Sequence, residues 1–153
     1  MKAYADTNFL LRIYLDYDDS ERAISLLSRL TRRTEACPVA WLQQIEFSNA
    51  LQLLVFQSRA GARPRVSNEM AAMALQSFND DLDRGVAFRE ANLGAGELTA
   101  TSRSLSGRHT ASIGSRTYDV IHVAAALRLG CDTFWSFDVK ASKLAKLEGL
   151  KVL

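Results

Sequence analysis

Short apolar runs alternate with longer stretches of helical periodicity from one end of this chain to the other, and few folds accommodate that alternation. Residues 2–5, 36–39, 85–90, 133–137 and 151–153 have the length and composition of strands. Between them, residues 9–15, 21–30, 41–59, 67–84, 93–105, 116–129 and 141–148 read as helices. Only two prolines and eight glycines punctuate the 153 residues, so long helices are expected. Residues 61–65 read as a basic turn and 106–115 as a polar, glycine-containing loop. Ser20 is a candidate N-cap and Gly130 a candidate helix stop. Strands alternating with helices predict an α/β three-layer sandwich with a mainly parallel central sheet flanked by helices. A single domain spanning residues 1–153 is expected at this length, with a core large enough to need no staples.

The three-four spacing of apolar residues assigns core faces. Ala23, Leu26, Leu27 and Leu30 share one face of the second helix. Leu42, Ile45, Glu46, Asn49, Ala50 and Leu53 share one face of the third, and Met70, Met73, Ala74 and Phe78 one face of the fourth. In the alanine-rich helix, Asp119, His122, Val123 and Ala126 lie along one side. Trp41 and Trp135 are expected to pack in the core.

Bulk chemistry narrows the function classes only a little. Hydrophobic residues make up 48% and charged residues 24%, as in ordinary globular chains. A net charge of +2 does not by itself argue for nucleic acid. Basic residues do cluster locally, at Arg29, Arg32 and Arg33, at Arg59, Arg63 and Arg65, and at Arg103, Arg108 and Arg116. Asp6 and Arg12 break the only candidate signal sequence, and nothing approaches a membrane span. Cys37 and Cys131 form no CxxC pair and read as buried thiols rather than zinc ligands. A cytoplasmic protein is the default expectation.

Four acids interrupt this apolar patterning. Asp6 follows Lys2-Ala3-Tyr4-Ala5, and Asp138 follows Phe134-Trp135-Ser136-Phe137. Glu46 lies within a largely apolar helix, and Asp119 opens Asp119-Val120-Ile121-His122-Val123-Ala124-Ala125-Ala126. A carboxylate on a core-facing element is costly unless it is paired, protonated or bound to a cation. Asp6 and Asp138 stand at the carboxyl ends of strands, where open parallel sheets bind ligands. Asp119 sits in a first helical turn, which favours negative charge. Each acid has a plainer explanation: a turn or cap for Asp6, an ion pair or exposed position for Glu46, and helix caps for Asp119 and Asp138. Taken together they point to a site for a divalent metal.

The same segments resemble the PIN domain, and more narrowly the VapC-type toxin ribonucleases of toxin–antitoxin pairs. Tyr4-Ala5-Asp6-Thr7-Asn8-Phe9-Leu10 resembles the family's first strand and acid, and Glu46-Phe47-Ser48-Asn49-Ala50-Leu51 its second-acid helix. Arg116-Thr117-Tyr118-Asp119-Val120-Ile121-His122 is similar to its third-acid helix, and Phe134-Trp135-Ser136-Phe137-Asp138 to its closing segment. Asn8 departs from the small hydroxyl residue many relatives carry near the first acid. The resemblance implies that Asp6, Glu46, Asp119 and Asp138 are catalytic and hold Mg²⁺ or Mn²⁺. It further implies an RNA substrate, an antitoxin partner protein and a homodimer. The expected reaction is hydrolysis of an RNA phosphodiester to a 3′-hydroxyl and a 5′-phosphate.

Within that reading Asp6 and Asp119 are the main ligands, with Glu46 and Asp138 completing the shell. Oxygen ligands suit Mg²⁺, whereas zinc prefers nitrogen and sulfur. Arg116 is a candidate contact to RNA phosphate. His122, one turn after Asp119, is either a general base or a packed, hydrogen-bonded histidine, and its apolar surroundings favour the second. His109 is expected in an exposed loop near substrate. Thr7 and Ser136 are candidates to orient site water, or ordinary hydroxyl residues at strand ends. The alternatives are a PIN nuclease of RNA maturation or decay and a non-catalytic RNA-binding module.

Overall fold

The computed structural model describes residues 2–153, so Met1, the first residue of the expected domain, lies outside the described residues. Its four strands are each three residues long. β1 (Ala3–Ala5) pairs in parallel with β4 (Thr133–Trp135), with Tyr4 opposite Phe134. β2 (Cys37–Val39) pairs in parallel with β3 (Phe88–Glu90). β1 and β2 lie side by side, which places the strands in the order β3, β2, β1, β4 as two hydrogen-bonded pairs. The expected closing strand at 151–153 amounts to one parallel bridge between Lys151 and Thr133.

Helices connect and flank these strands. They are α1 (Thr7–Tyr14), α2 (Ser20–Thr31), α3 (Trp41–Arg59), α4 (Asn68–Arg84), α5 (Ala95–Leu105), α6 (Ala111–Ile113), α7 (Thr117–Arg128) and α8 (Val139–Leu147). Successive strand residues point to opposite sides. Accordingly Ala3, Ala5 and Trp135 join a core with Phe9, Phe47, Leu51 and Phe78, whereas Tyr4 and Phe134 join a second core with Val123, Ala126 and Leu144. Helices α1 to α4 supply the first core, and α5, α7 and α8 with Leu42 of α3 the second, which makes an α/β sandwich with short parallel strands between two helical layers. No helix among the described residues is long and apolar enough to cross a membrane. Cys37 and Cys131 are buried free thiols, as expected.

Several core faces differ from those read off periodicity. α3 carries apolar residues around its whole circumference, so spacing alone does not select the face that packs. Its buried residues are Leu42, Gln43, Phe47, Leu51 and Val55, while Ile45 is 62% exposed and Leu53 48%. In α4 the small side chains Ala71 and Ala74 pack inward with Phe78, and Met70 and Met73 are exposed. Trp41 is exposed too, its indole N–H donating to the Leu93 carbonyl. Ser20 is not the N-cap of α2, a position taken by Asp19; its hydroxyl instead bonds the Leu15 carbonyl and accepts from the Tyr17 N–H.

The polar stretch 106–115 is not a loop. Ser106–Thr110 continues α5 as a π-helical segment, followed by α6. Glu148, at the end of α8, fastens it by accepting from Arg108 at 2.9 Å and sitting 2.6 Å from His109 Nε2. His109 is therefore half-buried and engaged, not an exposed loop residue. Gly114, at φ +65, ends the segment in a left-handed conformation that favours glycine.

Candidate functional site

Asp6 is the first residue past β1 and the N-cap of α1. Its backbone N–H donates to the Trp135 carbonyl at 3.1 Å, extending the β1–β4 pairing by one bond. Its Oδ1 accepts from the Phe9 N–H at 2.8 Å, which explains why a helix starts at Thr7. The residue is only 4% exposed. Burial pushes its carboxyl up to about 6; the His122 imidazole, the Ser136 hydroxyl and the Phe9 N–H oppose the rise, and the neighbouring Glu46 carboxylate adds to it.

Glu46 reaches the same place from α3. Its Oε2 accepts from the Thr7 hydroxyl and from His122 Nε2. Burial favours the neutral acid here too, but the hydrogen bonds and charge of His122, together with Thr7, outweigh it and hold the carboxyl below its ordinary value. On the other ring nitrogen of His122, Nδ1 lies 2.8 Å from the Tyr4 hydroxyl. Tyr4 is fully buried in the middle of β1 and His122 is 4% exposed. Burial, with the Asp6 and Glu46 carboxylates, pushes the Tyr4 hydroxyl well above its ordinary value, so it keeps its proton. A continuous chain of hydrogen bonds thus runs Tyr4–His122–Glu46–Thr7 beside Asp6.

The other two acids have local partners. Asp119 Oδ2 accepts from the Arg116 backbone N–H at 2.8 Å, half of a capping box at the start of α7. Asp138 is the N-cap of α8, its Oδ1 accepting from Lys140 N–H at 2.8 Å and Ala141 N–H at 3.0 Å. Asp138 is nevertheless linked to the buried pair: its N–H donates to the Ser136 hydroxyl at 2.9 Å, and that hydroxyl is near enough to Asp6 to lower its carboxyl. Arg116 is exposed at the start of α7.

The donor set can be tested for a divalent cation by its chemistry. It is rich in oxygen, as Mg²⁺ or Mn²⁺ requires, and Mg²⁺ is commonly held by one or two carboxylates while keeping several waters. The Asp6–Glu46 pair fits that requirement. Among the described residues no group of three or more His, Cys, Asp or Glu side chains is gathered as a metal cluster, so a four-carboxylate shell is not assembled.

Two contributors escaped the sequence reading. Tyr4 carried one signal, a hydroxyl in an otherwise apolar strand, which needs a partner when buried. Gln43 carried less. It is fully buried, its Nε2 donating to the Ala5 carbonyl and its Oε1 accepting from the Ala40 N–H, both at 2.8 Å. It thereby ties the start of α3 to the end of β1, where Asp6 begins.

No family model matches the sequence, and no curated protein matches it. Among solved structures the chain is similar to the crystal structure of PAE2754 from Pyrobaculum aerophilum, with a TM-score of 0.56 and 15% sequence identity. The similarity covers 99% of this chain and 83% of that one, and at this identity it shows a shared fold.

Proposed function

We propose that this protein is a Mg²⁺- or Mn²⁺-dependent endoribonuclease, the toxin of a toxin–antitoxin pair, with its site at the Asp6–Glu46 pair. One observation carries the reading. Two carboxylates from distant parts of the chain lie close enough to influence each other's charge at the carboxyl end of a parallel strand, and a buried imidazole that bonds Glu46 also acts on Asp6. Asp6 and Glu46 would hold the cation, and Asp119 and Asp138 would support it from the starts of their helices. A bound Mg²⁺ supplies Lewis acidity and a water of lowered pKa. The chain's own groups do the positioning: Thr7 and His122 orient Glu46, while the Phe9 N–H orients Asp6. Arg116, exposed beside Asp119, is proposed to engage RNA phosphate. An antitoxin that covers the cleft and a second copy of the chain are the proposed partners.

A second reading, a non-catalytic RNA-binding module, is favoured by the capping roles of Asp119 and Asp138. One experiment separates the two. The purified protein is incubated with structured RNAs in Mg²⁺ or Mn²⁺, with chelator, and as Asp6→Asn. Cleavage that needs the cation and is lost in the variant supports the nuclease. RNA binding without cleavage in any cation selects the module.

A further inference from the structure

We propose that Tyr4 and His122 form a buried brace that fixes the Glu46 carboxylate, so that His122 is a positioning residue and not a general base. The inference rests on the proposed role of Glu46 as a cation ligand. Its starting point is that both ring nitrogens of His122 are occupied inside the protein. Nε2 faces Glu46 Oε2, and Nδ1 faces the Tyr4 hydroxyl at 2.8 Å. A general base needs an exposed lone pair pointing at the proton it removes. His122 has neither nitrogen available, and it is 4% exposed.

The hydrogen-bond roles follow from what each group can do. An ionised carboxylate only accepts, so Nε2 carries the proton and donates to Glu46. Nδ1 of the neutral ring then accepts, and the Tyr4 O–H donates to it. An imidazolium would keep both contacts, with Nδ1–H donating to the Tyr4 oxygen. The brace therefore survives either charge on the ring. Its far end is rigid because Tyr4 lies in β1, stacked on Phe134 with centroids 5.8 Å apart and planes 6° apart. Thr7 closes the arrangement by donating to the same Oε2. With Oε2 engaged twice, the rotamer of Glu46 is set by β1, α1 and α7 together, although the residue itself rides on α3. Outer partners of this kind orient ligand side chains, and their loss commonly costs about 10–100-fold in metal affinity.

The test has a spectroscopic arm and a binding arm. In long-range ¹H–¹⁵N spectra of the cation-free protein, His122 is expected to carry a proton on Nε2, and Tyr4→Phe is expected to shift the Nδ1 resonance as that nitrogen loses its hydrogen-bond partner. In Mn²⁺ binding followed by electron paramagnetic resonance, His122→Leu is expected to weaken affinity by about tenfold or more. Tyr4→Phe, which removes a single oxygen and should leave the fold intact by circular dichroism, is expected to weaken it by a smaller factor. His122→Gln, whose amide can stand in for the Nε2–H donor, is expected to restore most of the affinity. An unprotonated Nε2 in the unaltered protein overturns the brace. So does a folded Tyr4→Phe variant that matches the unaltered protein in both arms. If the unaltered protein binds no Mn²⁺, the nuclease reading fails, and the tautomer of His122 alone then decides whether the brace exists.

Discussion

The four acids fall into two pairs that the fold treats differently. Asp6 and Glu46 come from elements far apart in sequence and both feel one buried imidazole, which bonds Glu46; their carboxyls are pushed in opposite directions, up for Asp6 and down for Glu46. Asp119 and Asp138 each bond to backbone N–H groups within three residues of themselves. Apolar sequence surrounds all four. A run of apolar neighbours therefore marks a carboxylate near the core, but it does not separate one aimed into a site from one that only starts a helix. Asp6 also caps a helix through the Phe9 N–H; what sets it apart is that its carboxyl is buried and feels the charges of Glu46 and His122, side chains distant in sequence.

Cleavage of RNA gives the largest predicted contrast. Asp6→Asn and Glu46→Gln should each lower cation-dependent cleavage by at least about a hundredfold, since several kcal/mol of charge stabilisation depend on the held cation. Asp138→Asn, which can still cap α8, should change it by much less. Single-turnover rates on one labelled RNA measure all three. An Asp138→Asn loss equal to that of Asp6→Asn would break the division into pairs.

Stability gives the next contrast. Gln43→Ala strips partners from the buried Ala5 carbonyl and Ala40 N–H and should cost about 2–6 kcal/mol in urea unfolding, given one to three for each unsatisfied group. Because Gln43 tethers β1 just before Asp6, the same variant should weaken Mn²⁺ binding. A smaller effect belongs to the local pair. Asp138→Ala removes two cap bonds and should cost about 1 kcal/mol, with a smaller loss of Mn²⁺ affinity than Asp6→Asn shows.

The alternation of strands and helices was legible because each element is punctuated by its own residues. The limits of α3 are those its pattern predicts, and the burial of Trp135 follows from its strand. Helix faces were less legible. Ile45 and Leu53 look like core residues by spacing, but an all-round apolar helix leaves that choice to its neighbours, and Phe47 and Leu51 pack instead. The stretch 106–115 has loop composition and becomes helical because Glu148, some forty residues later, holds Arg108 and His109. Of the candidate site, the positions of Asp6 and Glu46 near the core could be read, but the bond from Thr7 to Glu46 could not, since Thr7 reads in sequence as a candidate to orient water. The contact between Tyr4 and His122 spans 118 positions and leaves no local trace beyond a lone hydroxyl in a strand.

The central claim is that Asp6 is held in a place that disfavours its charge and that a cation relieves this. A carboxyl whose folded value is raised contributes stability that is complete below its unfolded value, near 3.8, and lost as pH rises through about 6. At about 1.4 kcal/mol per unit, the loss is on the order of 2–3 kcal/mol. Urea unfolding of the protein and of Asp6→Asn, from pH 4 to 7 with and without Mn²⁺, isolates this contribution as a difference between the two. The variant keeps a good N-cap, so its advantage should grow from near zero at pH 4 to its full size above pH 6. Mn²⁺ should then stabilise the unaltered protein and not the variant. An advantage that stays constant across this range, or an equal response of both proteins to Mn²⁺, would contradict the account.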